Sequence, residues 1–179
     1  MGRLFPFYLW RPGKEQQDEV LKEGVREGFN YPNPGATEGA TPSDLIALSS
    51  PWVVDYKRVQ VGKGSKAYEE AKAALKRWTH FQLGWAQVRN PVGAGLPVSS
   101  PVQRFQFGHG CLKGHLLAGE ESFAVEWDKE DDSVWYEVMT FSRPAHPVAM
   151  ATYPLVRFYQ RQYGKDSSTA MVKAISNSS

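Results

Sequence analysis

The residues of this chain best suited to chemistry crowd into one stretch, 105–127. It carries His109, Cys111, His115, Glu120 and Glu121 among Gly108, Gly110, Gly114 and Gly119. A histidine beside a carboxylate is a common instrument of proton transfer, and imidazole, thiolate and carboxylate are all metal ligands. The spacing fits neither C-x-x-C nor H-E-x-x-H, and an extended strand would hold His109 and Cys111 on one face about 7 Å apart. No metal and no cofactor is therefore expected. The glycines match neither G-x-G-x-x-G nor the Walker pattern, and no helix follows them, so they make no phosphate loop. In a strand they mark bends, or bare backbone against which something packs closely.

Glu121 is the most informative of these residues. In a regular strand it shares a face with Phe123, Val125 and Trp127, and a carboxylate there must be paired, hydrogen-bonded or protonated. The candidate partners are His115 across the turn, Arg143 after the next strand, and Arg104. Three readings follow: a structural ion pair tying the hairpin, a polar anchor that orients a ligand in an apolar pocket, or a His115/Glu121 acid–base pair. Ser142 has no nucleophile elbow around it and is not read as a nucleophile.

The elements that must position these residues follow from periodicity. Residues 1–51 read as an irregular lead-in rich in proline and glycine, with a surface helix over 14–27 and one helical turn begun by Thr41-Pro42. Residues 52–61 are β-branched and aromatic, a strand that Gly62-Lys63-Gly64 ends. A helix capped by Ser65 follows to about residue 78, with Tyr68, Ala71, Leu75 and Trp78 as its apolar stripe. Alternation predicts strands over 81–88, 105–109 and 120–127. The charged turn 128–132 leads into a last strand, 133–142, that is apolar on both sides and so is covered on both. Residues 147–175 are helical, starting or kinking at Pro154 and open to a break at Gly164. Sequential strands with short turns give an α+β fold: a curved antiparallel sheet with a helix after the first strand and a long C-terminal helix. This is the helix-grip arrangement of START and Bet v 1-like domains. Residues 1–179 read as a single domain with its sheet-and-helix core at 52–175.

Composition bounds the function. Hydrophobic residues make up 41% and charged residues 22%, which excludes global disorder. The 21 basic and 19 acidic residues are interspersed, without the basic stripe that nucleic-acid binding favours. Six Trp, eight Tyr and nine Phe favour an aromatic core or pocket. Cys111 is the single cysteine, which suits a reducing, intracellular and most simply cytoplasmic setting. No run is long and apolar enough to span a membrane, and residues 4–10 lack the features of a signal peptide.

The run from Gly110 to Phe123 resembles the signature of uncharacterised protein family 0548, G-T-L-x-G-H followed by G-E-E-x-F. Phe29-Asn30-Tyr31, Gly35-Ala36-Thr37, Trp78-Thr79-His80-Phe81 with Trp85, Val134-Trp135-Tyr136-Glu137, Phe141 to His146, Tyr153 to Arg157 and Gln160 match it as well. Cys111 replaces the signature threonine. Where the family carries about two further strands of chain, only six residues separate Val98 from Phe105. The resemblance implies the fold and no activity.

These readings converge on a binding protein. A small apolar or amphipathic ligand would meet an aromatic wall of Trp85, Phe107, Phe123 and Trp127, bare backbone at Gly110 and Gly114, and the polar groups of His115, Glu120, Glu121 and Arg143. An enzyme using His115/Glu121, and an interaction module without a pocket, are the alternatives.

Overall fold

Residue patterns alone account for most of the elements in the computed structural model, which describes residues 13–48, 51–85 and 102–176. Helix α1 (Lys14–Glu27) begins where the Gly13 amide is met by the Gln16 side chain and stops at Gly28, whose φ is 81°. Thr41 caps α2 (Pro42–Ile46), with Pro42 in the first turn, as its sequence predicts. Strand β1 (Val53–Lys63) leads through Gly64 (φ 80°) into α3 (Gly64–Lys76). Strands β2 (Val102–Gly110), β3 (Leu117–Asp128) and β4 (Ser133–Pro144) follow, then α4 (Pro147–Ala151) and α5 (Tyr153–Ser176).

The four strands form one antiparallel sheet in the order β1-β4-β3-β2. The fold is thus α+β, with a helix after the first strand and a long helix at the C-terminal end. Each hairpin partner sits beside its neighbour in sequence, while β1 joins the far side of β4. The sheet divides two cores. Phe107, Phe123, Val125, Val134, Tyr136 and Val138 meet Tyr68, Ala71 and Leu75 of α3 and Met171 and Ile175 of α5. On the other face Ala118, Met139 and Phe141 pack against Tyr31 and Leu45. Strand β4 feeds both cores, which explains why its pattern is apolar on both sides. Within the lead-in, expected to be mostly loop, residues 31–48 are the cover of that second face.

Three expectations are corrected. The predicted strand at 81–88 is absent from its described part. Trp78 ends the α3 region in the left-handed conformation (φ 58°), and Thr79–Phe81 form a short 3-10 turn. The alternation of Phe81, Leu83 and Trp85 imitates a strand, but Phe81 packs partly buried against the core while Trp85 lies 49% exposed. Residues 86–88 lie outside the described residues. Gly64, with Lys63 before it, opens α3 in place of Ser65, and no side chain caps it. Gly164 breaks nothing: α5 runs through it, and the helical stretch divides earlier, between Ala151 and Tyr153, with Pro154 in the first turn of α5.

Candidate functional site

Consecutive residues on a strand point to opposite faces, so Glu120 and Glu121 of β3 serve different sides of the sheet. Glu120 turns toward the lead-in and is saturated. It accepts from the Tyr31 hydroxyl at 2.8 Å, the Gly35 amide at 2.7 Å, and the Thr37 amide and hydroxyl at 2.9 and 2.5 Å. Burial, reinforced by that carboxylate, drives the Tyr31 hydroxyl far above its ordinary range and keeps it a donor. The Tyr31 ring reaches Glu120 across Gly110, where a Cβ would overlap the Tyr31 hydroxyl. The bare backbone at Gly110 therefore accommodates one of the protein's own side chains. Gly119 is equally constrained, with φ 134° and the Phe141 carbonyl against it.

Glu121 turns toward the helices and is poorly satisfied. Its ion-pair contact is to His109 Nε2 at 3.5 Å, directly opposite it in the β2–β3 register. Among the described residues no hydrogen bond to it is formed, although its side chain is only 20% exposed. The expected partners stand elsewhere. His115 accepts the Leu117 amide at Nδ1 (3.1 Å) in the exposed turn shaped by Gly114, whose φ is 90°. Arg143 sits on the opposite face with its guanidinium 4.9 Å from the Trp52 ring. Arg104 on that same face pairs with Glu126 and Glu137 at 2.6 and 2.8 Å, joined by Arg58 on both acids and by the Tyr56 hydroxyl on Glu137. A one-residue step along β3 is enough to separate Glu121 from both arginines.

A cavity of about 860 Å³ opens beside Glu121. Val20 and Leu21 of α1, Leu117 of β3, and Val156, Tyr159 and Tyr163 of α5 form much of its wall. His109, Gly110, Cys111, His115, Glu120, Trp85 and Phe81 also line it. Phe107, Phe123 and Trp127 do not line it. Phe107 and Phe123 fill the core around His80, and Trp127 stacks near Tyr68 with its Nε1 donating to Asp132. Trp85 stands at the rim, its Nε1 on Asp166 and its ring against Tyr159 and Tyr163. Of the ten residues expected at a ligand, Trp85, Gly110, His115, Glu120 and Glu121 are together in this wall, while Phe107, Gly114, Phe123, Trp127 and Arg143 are not.

Several polar groups at this end escape a reading by strand periodicity. The Tyr163 hydroxyl is buried without a partner, and burial, then the Glu121 charge, raises its pKa far above the usual phenol. Gln160 donates to Ser142 Oγ at 3.0 Å and accepts from Arg157, whose guanidinium forks onto Asp55. Cys111 is held up to about 12 by burial and by the Glu121 charge, so it stays a thiol. His80 is fully buried among Trp78, Phe81, Phe107 and Phe123, with neither ring nitrogen hydrogen-bonded. Burial, then the neighbouring His109, lowers its pKa from 6.5 to about 3, leaving a neutral imidazole. The Trp-Thr-His-Phe match is the signal that marks it.

A second cavity of about 680 Å³ lies on the lead-in side, lined by Thr37, Tyr56, Arg104, Glu126 and Glu137 among others. Of its charged groups, Arg104, Glu126 and Glu137 are paired in one network and Glu120 is held by Tyr31, Gly35 and Thr37. Among the described residues no three His, Cys, Asp or Glu side chains gather to hold a metal, and no helix is long and apolar enough to cross a membrane.

An antiparallel sheet clasped by α3 and α5, with an apolar cavity between its end and the terminal helix, defines an α+β protein of the helix-over-sheet kind. The chain belongs to the family described as domain of unknown function DUF1990, which matches residues 30–100 and 96–170. The two matches overlap at residues 96–100, outside the described residues. A UPF0548 protein of Arabidopsis thaliana is 35% identical, the alignment covering 96% of this chain and 99% of the relative. That alignment runs to 209 positions, so the relative holds residues that this chain lacks. A Dictyostelium discoideum UPF0548 protein is 27% identical over 94% of this chain and 95% of its own. A Deinococcus radiodurans UPF0548 protein is 32% identical over 65% and 75%. Among solved structures, a hypothetical protein from Helicobacter pylori gives a TM-score of 0.40 at 10% identity, covering 82% of this chain and 95% of its own. A Thalictrum norcoclaurine synthase gives 0.38 at 11%, covering 70% and 98%. Likenesses at that level carry no chemistry across.

Proposed function

We propose that the protein binds a small amphipathic ligand in the cavity between α1, the β2–β3 end of the sheet and α5. The observation that carries this reading is a recess of about 860 Å³ with a largely apolar wall and an underused carboxylate, Glu121, in it. Ligand sites are of this size and makeup: apolar surface supplies affinity, and a few polar groups fix orientation. The cores on either side are filled by side chains, so the recess is not a packing defect within them. Native mass spectrometry of gently purified protein tests the reading. A bound small molecule, or uptake of an added fatty acid, sterol or isoprenoid, is expected. A protein that is empty and takes up none of these overturns it.

A second reading, acid–base catalysis, is favoured by one observation: His109 Nε2 lies 3.5 Å from Glu121 Oε2 in a wall of the same cavity. The pair considered from sequence is His115/Glu121; His109 is the histidine with a contact to Glu121 here, while His115 Nδ1 accepts the Leu117 amide. Substrate screening with Glu121→Gln as the control separates the two readings, since turnover would be lost with the carboxylate. An interaction module without a pocket has the least support, because the described residues surround a recess large enough for a ligand.

A further inference from the structure

Resting on the ligand-binding reading, we infer that the ligand is cationic at its polar end, a protonated amine carried on an apolar body. The contrast between the two adjacent glutamates carries the inference. Glu120 receives four hydrogen bonds, whereas Glu121 receives none from the described residues and has only His109 at 3.5 Å. A carboxylate that is four-fifths covered and lacks donors holds acceptor capacity that water or a ligand must fill. Aromatic faces stand around the same recess: Phe81, Trp85, Tyr159 and Tyr163. A carboxylate beside aromatic rings is the surrounding in which an ammonium group loses least on leaving water, since both attract positive charge.

The cations nearby do not change this assignment. Arg157 is spent on Asp55, and Arg104 and Arg143 lie on the other face of the sheet. Lys113 lines the cavity but is exposed at its rim. Lys57, Arg161 and Lys165 line a smaller recess of about 260 Å³ that also touches Glu121, and none forms an ion pair with it. Among the described residues no lysine or arginine is paired with Glu121, so an anionic head group entering the larger cavity would face that carboxylate. The Tyr163 hydroxyl, buried and unpartnered, offers the ligand a further hydrogen bond at the same end.

Calorimetric titration of the full chain at neutral pH with octylamine, 1-octanol and octanoate tests the head group while holding the apolar body constant. Octylamine is expected to bind at least about ten-fold more tightly than octanoate, a difference of about 1.4 kcal/mol. Glu121→Gln is expected to bring octylamine down to the affinity of octanol. Octanoate binding as tightly as octylamine, or an amine preference that survives Glu121→Gln, overturns the inference while leaving a binding cavity in place. Binding of none of the three overturns the cavity reading itself. The order of the three head groups on the unaltered protein decides the matter even where the variant folds poorly.

Discussion

At the scale of single residues, burial and hydrogen bonding decide which polar groups hold the fold and which keep unused bonding capacity. Glu120 is consumed by Tyr31, Gly35 and Thr37, and its four bonds tie the lead-in to β3. His80 is the opposite case, a buried imidazole with no bond to compensate for its removal from water. Its depressed pKa makes stability depend on pH with a definite sign. Between about 6.5 and 3 the unfolded chain takes up a proton on His80 that the native protein refuses. Stability therefore falls as the pH drops through that window, by about 2–3 kcal/mol at pH 4.5 from this residue alone. Chemical denaturation at pH 7 and pH 4.5 should show a loss smaller by about that amount in His80→Leu. Equal losses in the two proteins would contradict the buried, neutral state of His80. Sequence alone gave Glu121 the apolar face, and the register bears that out, but it could not choose the partner. Strand alternation puts His109 on the side of Phe105 and Phe107, yet only the β2–β3 pairing puts it opposite Glu121.

At the scale of elements, glycine positions record where one segment lies against another. Gly110 is flat against the Tyr31 ring, which passes over β2 on its way to Glu120. Gly110→Ala is expected to cost about 2 kcal/mol or more by displacing that ring, and to cost little in a Tyr31→Ala background. Denaturation of the two single variants and the double variant measures the coupling. Strictly additive effects would show that the glycine is needed for something other than the tyrosine. The helices α1 and α3, the three strands β1, β3 and β4, and the core of β2 were legible because their periodicity is imposed locally by burial on one face. The 81–88 segment was misread because two-residue alternation arises by accident when a turn sends Phe81 inward and leaves Trp85 at a rim. The role of residues 31–48 as the cover of the second face was not legible. Their contacts to Glu120, Met139 and Phe141 cross about ninety residues of sequence and leave no local pattern.

At the scale of the whole molecule, the sheet separates two kinds of surface. One is covered by residues 31–48 and carries a recess walled in part by a network of Arg58, Arg104, Glu126 and Glu137 whose charges cancel. The other is closed by α3 and α5 over most of its length and opens at the Glu121 end into the cavity bounded by α1. A cavity does lie beside the G-H-x-x-x-G-E-E region, where the sequence places the candidate site, but its wall was not legible. The aromatic residues Phe107, Phe123 and Trp127 were spent on the core, and α1 and α5 supplied side chains in their stead. NMR mapping of isotope-labelled protein titrated with 1-octanol tests this division most directly. The account predicts shift changes at Val20, Leu117, Val156, Tyr159 and Tyr163, with Tyr31, Thr37 and Glu137 unmoved; changes confined to the latter group, or none at all, would contradict it.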